Sequence, residues 1–168
     1  MTATTRSTIF SAPYSAVYDI INTRSNIADP RDNTGARKFV YTSEPFGKAI
    51  DVGDVPYIIV KFPTIDQTTA SINGKHKWIT YSQSIIVRTV KDGSGASRPD
   101  AGVNDMEAIT DDLFETFNKY STKTTFKSYL LTNVEIKLIN NDSANINQQD
   151  IFENEFELTY GMRFNTST

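Results

Sequence analysis

Polar and apolar positions alternate most strictly in the closing stretch, Phe152–Phe164. Phe152, Phe156, Leu158, Tyr160, Met162 and Phe164 fall on one side; Glu153, Glu155, Glu157, Thr159 and Arg163 fall on the other. Only Asn154 breaks the apolar row. Side chains two apart share a face of a strand, so the pattern predicts a long strand with one face on a core. Leu130–Leu138 alternates in the same way, with Leu130, Thr132, Val134, Ile136 and Leu138 set against Leu131, Asn133, Glu135 and Lys137. It predicts a second half-buried strand, joined to the last by a polar loop, Asn140–Gln149. The period changes before it. Met106, Ile109, Leu113, Phe117 and Tyr120 recur at helical spacing, predicting about four turns with Asp105, Asp111, Asp112, Glu115 and Lys119 toward solvent. Asn104 and Glu107 have the spacing of a capping box at its start.

The first half of the chain is less regular. Ser11 is placed to cap a helix from Ala12–Pro13 that carries Tyr14, Val17, Ile20 and Ile21, leaving residues 1–11 as a flexible N-terminal arm. Residues 25–56 hold Pro30, Gly35, Pro45, Gly47, Gly53 and Pro56 and read as a long connection with one short strand at Lys38–Tyr41. Connections of that length are usually functional or partner-bound. Tyr57–Phe62 predicts a strand closed by Pro63. Thr64–Ile72 and Trp78–Val90 flank Asn73-Gly74, the strongest short hairpin signal, and Lys91–Val103 reads as a loop. The order is helix, connection, strands, helix, closing strand pair. It implies one α+β domain over 1–168: a mostly antiparallel sheet with two helices packed on one face.

Composition narrows the function. A net charge of −3 without a block of Lys and Arg does not suit a polyanion partner. There is no cysteine, so disulfides and thiolate metal sites are excluded, and His76 is the only histidine. No apolar run approaches the ~20 residues of a membrane helix, and no export signal develops at the N-terminus, where Asp19 interrupts. The Gly-rich loop Asp92–Ser97 lacks the Gly-Lys-Ser/Thr ending of a phosphate cradle. Acidic residues at the start of the second helix complement its dipole and lack calcium-loop spacing. Catalytic, cofactor-binding and metal-ligating sets are all expected to be absent.

What remains is interface chemistry. Arg24, Arg31, Arg37 and Lys38 lie among Asp29, Asp32, Asp51 and Asp54 in the connection, a mixture suited to a specific polar contact. Lys75 and Lys77 flank His76 at the hairpin tip, and Asp92 sits in the following loop. Glu153, Glu155 and Glu157 stand ~7 Å apart in a row, where they repel unless neighbours compensate. Lys137 and Glu135 are candidates for the opposite positions. The row fits a solvated sheet face and equally a surface meeting a subunit or lining a channel.

The elements together resemble the tail terminator (tail completion) proteins of long-tailed phages and related archaeal viruses. The resemblance runs over nearly the whole chain. It rests on the helix Pro13–Ile21, the strand ending in Phe62-Pro63, the strand Trp78–Val90, the helix Met106–Tyr120, and the pair Leu130–Leu138 and Phe152–Phe164. It implies a virion protein of the tail or neck, assembled in the host cytoplasm as a homo-oligomeric ring, a hexamer. Such a ring caps the tail tube protein, stops its polymerisation and offers a joining surface to a head-side connector, while DNA passes through without sequence-specific binding. The Glu153, Glu155 and Glu157 row would then face the lumen or a subunit boundary, and Arg163 is a further candidate interface residue. Another head–tail connector, such as a stopper or a tail-tube-like subunit, fits most of the same pattern; a small-molecule-binding α+β domain is the next alternative, and an enzyme the last.

Overall fold

The computed structural model describes residues 6–23, 25–32, 34–45, 55–70, 76–90, 101–118, 131–146 and 149–165. Two helices, α1 (Arg6–Asn22) and α2 (Ala101–Asn118), accompany six strands: β1 (Val40–Tyr41), β2 (Tyr57–Val60), β3 (Thr64–Ala70), β4 (His76–Val90), β5 (Leu131–Ile146) and β6 (Gln149–Asn165). The strands form one sheet in the order β1-β2-β4-β6-β5, with β3 paired to the other half of β4 beside β2. Only β1 and β2 run parallel. The fold class is α+β, with a mostly antiparallel sheet.

Both helices lie on the same face of the sheet. Val17, Ile20 and Ile21 from α1 and Ile109, Leu113 and Phe117 from α2 are buried against Ile79, Tyr81, Ile85 and Val87 of β4 and Phe156, Leu158, Tyr160 and Met162 of β6. The alternation in the last strand therefore assigns its faces correctly. Asn154, the one polar residue on that side, is buried beneath α2, where its amide donates 3.4 Å to the Thr110 hydroxyl. A smaller cluster covers one end of the opposite face: Val55, Tyr57, Ile59, Ile86, Val90 and Ile151. Ile85-Ile86-Val87 in succession is the sequence trace of a strand buried on both sides there.

Four expectations need correction. First, α1 begins at Arg6, so Ser11 is inside it and Pro13 is not at its first turn. The missing Pro13 N–H leaves the Ile9 carbonyl without its helical donor, and the Tyr81 hydroxyl donates to that oxygen at 2.6 Å. Residues 1–5 lie outside the described residues. Second, α2 begins at Ala101, so Asn104 and Glu107 are exposed residues within it and form no capping box. Gly102 is buried there, its carbonyl accepting from Thr89 Oγ1 at 3.0 Å.

Third, Leu131 points into the core. The register shifts between Thr132 and Glu135, where Asn133 takes a positive φ of 51°. This bulge inverts the alternation at the start of β5. Fourth, Asn140–Ile146 is strand, paired with Gln149–Glu155. Residues 139–143 are exposed, so no alternation of burial marks them as strand. The Asn73-Gly74 turn lies outside the described residues, and β3 and β4 pair on either side of it, Ala70 opposite Lys77.

Candidate functional site

The acidic row lies on the face opposite the helices, and each carboxylate is held. Arg88 sits opposite Glu153 in the ladder and donates to it from Nε at 2.5 Å. Ser84 Oγ donates to Glu155 at 2.6 Å and Ser82 Oγ to Glu157 at 2.7 Å. Lys137 stands opposite Glu157, and its ammonium lies 3.1 Å from Glu135. One guanidinium and two hydroxyls thus fix a line of half-buried carboxylates across a sheet face. The line is ordered and acidic along β6.

Arg88 also ties this row to β2 and the connection. Its Nη1 donates to Glu44, and to the Tyr57 hydroxyl at 3.3 Å, while that hydroxyl donates 2.8 Å to Glu44. Burial works against the Arg88 charge, yet the bonds to Tyr57 and Glu153 outweigh it and raise its pKa. Burial likewise pushes the Tyr57 pKa up. Sequence reasoning missed this group. The available signal was an arginine between Val87 and Thr89 in an otherwise apolar run.

The connection folds back onto α2. Thr116 Oγ1 donates to the Asn26 carbonyl at 3.1 Å, Asp112 accepts from the Ala28 N–H at 3.1 Å, and Asp105 accepts from Arg31 Nε at 2.6 Å. Positions 105, 112 and 116 share one helix face, so residues 26–31 run antiparallel to α2 along it. Asp105 and Asp112, expected to face solvent, are the docking points. Next along the chain, Arg37 forks onto Asp29 at 2.8 and 2.7 Å and donates to the Pro56 carbonyl at 2.8 Å. Asp29 is 1% exposed at its side chain, so Arg37 neutralises a buried charge. Asp32 closes the turn between them, accepting from the Thr34 hydroxyl at 2.6 Å and from the N–H groups of Arg37, Thr34 and Gly35. Those bonds, the Thr34 hydroxyl first, hold its carboxyl well below the usual aspartate range.

The residues singled out from sequence therefore divide. Glu153, Glu155 and Glu157 share one surface, joined at the far end of β6 by exposed Arg163 beside Trp78. Arg31 and Arg37 are taken up by contacts within the chain. Lys38 is exposed with its ammonium 4.7 Å from the Tyr41 ring centre, and Lys77 is exposed at the start of β4. Arg24, Lys75 and Asp92 lie outside the described residues. Among the described residues, no three His, Asp or Glu side chains converge as metal ligands, and no helix is long and apolar enough to cross a membrane.

One groove opens on the helix side, between α2 and the projecting β5–β6 hairpin, with a volume of about 320 Å³. Val103, Met106, Leu138 and Phe152 give it an apolar floor, and Glu107, Asp111, Asn141 and Asn154 contribute polar groups. Neither a family model nor a curated protein matches the sequence.

Proposed function

We propose that this chain is a structural virion protein of the tail-terminator type, acting as a ring on the end of a tail tube. The observation that carries the reading is the combination of element order and a one-sided sheet. Both helices occupy one face, while the other presents a fixed acidic row flanked by Ser82 and Ser84. Among the described residues the sheet ends at β1 and β3 on one side and at β5 on the other, and a polar hairpin extends beyond the core. A protein built this way works through surfaces.

The mechanism is geometric. One ring face complements the last ring of tube subunits, and the other does not repeat it, so polymerisation stops by mismatch. The same second face docks the head-side connector. Closing six copies head to tail leaves no free lateral contact. Placed at the lumen, Glu153, Glu155 and Glu157 repel DNA phosphates and let the duplex slide. No bond is made or broken, and no cofactor takes part.

Light scattering over a concentration series, with negative-stain imaging of the most concentrated sample, tests the assembly. Six-fold rings are expected. A second reading, a small-molecule-binding domain, draws on the groove beside α2; a strict monomer that binds an apolar ligand there favours it over the ring.

A further inference from the structure

The bulge in β3 and the first bulge in β5 lie at the same height of the sheet. Thr64, Ser82, Thr159 and Glu135 form one row of partners across β3, β4, β6 and β5, and Gln67, Thr80, Gly161 and Thr132 form another. Between these rows β4 takes two steps, Ser82 to Thr80, and β6 takes two, Thr159 to Gly161. β3 takes three, Thr64 to Gln67, and β5 takes three, Glu135 to Thr132. Each bulge puts its strand one residue out of step with its inner neighbour, and in step with the strand at the opposite edge. Three reversals of direction separate β3 from β5, so the two run antiparallel.

The faces agree as well. The two rows place Thr64, Glu135, Gln67 and Thr132 on the face away from the helices, while Ile65 pairs with Tyr81 on the helix side and Val134 packs against the same core. Among the described residues, no further strand pairs with the outer side of Thr64–Gln67 or of Thr132–Glu135. Backbone groups along such an edge take one kind of partner, another strand. Apolar surface lies open beside both edges: Phe62 is 64% exposed and Ile65 39% at one, Leu138 42% at the other. Leu138 stands in the row of Phe156, Ile85 and Val60, two residues before Phe62, so these surfaces also share a height. One row further on, Tyr41 of β1 lies level with Asn140, beyond the second bulge of β5 between Leu138 and Asn140.

We infer that β3 of one copy and β5 of the next join edge to edge, Thr64 opposite Glu135, Ile65 opposite Val134, Asp66 opposite Asn133 and Gln67 opposite Thr132. The two edges lie on opposite sides of one sheet, so the contact is heterologous and repeats from copy to copy. It keeps the helices of every copy on one face of the joined sheet and Glu153, Glu155 and Glu157 on the other. The inference deepens the ring reading and rests on it, by naming the strands that join adjacent copies.

The chain has no cysteine, so an introduced disulfide reports the register. Thr64→Cys and Glu135→Cys chains, each altered at an exposed position, are mixed at the concentration where the wild type assembles and mildly oxidised. Opposed residues of an antiparallel pair stand about 5 Å apart at Cα, within disulfide reach, and a slip of two residues opens this to roughly 8 Å. A dimer linked through positions 64 and 135 is expected, and none when Lys137→Cys takes the place of Glu135→Cys. Equal linkage at 137, linkage of Thr64→Cys chains mainly to one another, or no linkage overturns the contact. Ile65→Asp provides a measurement without oxidation. It is expected to melt as the wild type does and to raise the concentration needed for assembly about tenfold or more; a folded variant that assembles as the wild type does overturns the contact. Wild-type rings with neither the 64–135 link nor sensitivity at position 65 remove this contact and leave the ring reading standing. A wild type without rings, and without the link at its highest soluble concentration, removes the contact, while the ring reading falls only with the tail phenotype.

Discussion

The Tyr81 hydroxyl donates 2.6 Å to the Ile9 carbonyl, the acceptor that Pro13 leaves without an N–H four residues on. A sheet side chain thereby completes a helix that its own proline interrupts, and α1 is fastened to β4 at that point. Removing one partner of such a bond strands a polar group in a partly buried place, at a cost of about 1–2 kcal/mol. Tyr81→Phe should lower unfolding free energy by that amount in urea melts. In a Pro13→Ala background the new N–H can satisfy Ile9, so Tyr81→Phe should cost measurably less. Additive effects would contradict this account of how α1 continues past Pro13.

Arg37 is expected to matter for stability before it matters for any partner. Arg37→Ala leaves the Asp29 carboxylate buried without its cation and should cost about 3 kcal/mol by chemical denaturation. Arg31→Ala breaks a more open pair with Asp105 and should cost no more than about 1 kcal/mol. Equal costs for the two would mean that Asp29 is not the buried charge described.

Gly161 faces Thr132 so closely that an added Cβ would lie 2.9 Å from its Oγ1. That hydroxyl donates 3.2 Å to the Gly161 carbonyl. Gly161→Val should destabilise by about 1–3 kcal/mol through overpacking, and Thr132→Ala in the same chain should recover part of the loss. Thermal melts of the two single variants and the double variant measure it.

Stability should fall at both ends of the pH scale. The Asp32 pKa is depressed in the fold, so its contribution is full above the ordinary aspartate value of about 3.9 and is lost as pH falls below it. Tyr57, Tyr81 and Tyr160 are raised, mainly by burial, so their contribution is full below about 10 and lost as pH rises beyond it. Urea melts across pH should show both limbs, with Asp32→Asn flattening the acid one. Tyrosinate absorbance should appear for these three only together with unfolding; gradual ionisation in the folded protein would contradict their burial.

The parts legible in the sequence are those where burial writes a period. The β6 alternation locates the strand and both its faces, and the α2 stripe Met106, Ile109, Leu113, Phe117 is buried as its spacing implies. Where backbone chemistry overrides the pattern, reading stops. A proline inside α1 satisfied by a distant tyrosine, a bulge at Asn133, and a strand pair with exposed polar side chains each leave no periodic trace. The acidic row was visible, but its compensation by Ser82, Ser84 and Arg88 depended on cross-strand register. The connection's contacts depended on α2 positions that look solvent-facing, and Arg37 looked like interface because its partner Asp29 is eight residues away in a loop.

The most direct measurement is tail length in particles assembled without this protein. A terminator stops the tube, so its loss should give overlong tails that do not join heads. Tails of normal length, whether joined or free, would contradict the central claim, and free tails of normal length would assign the chain to a stopper instead.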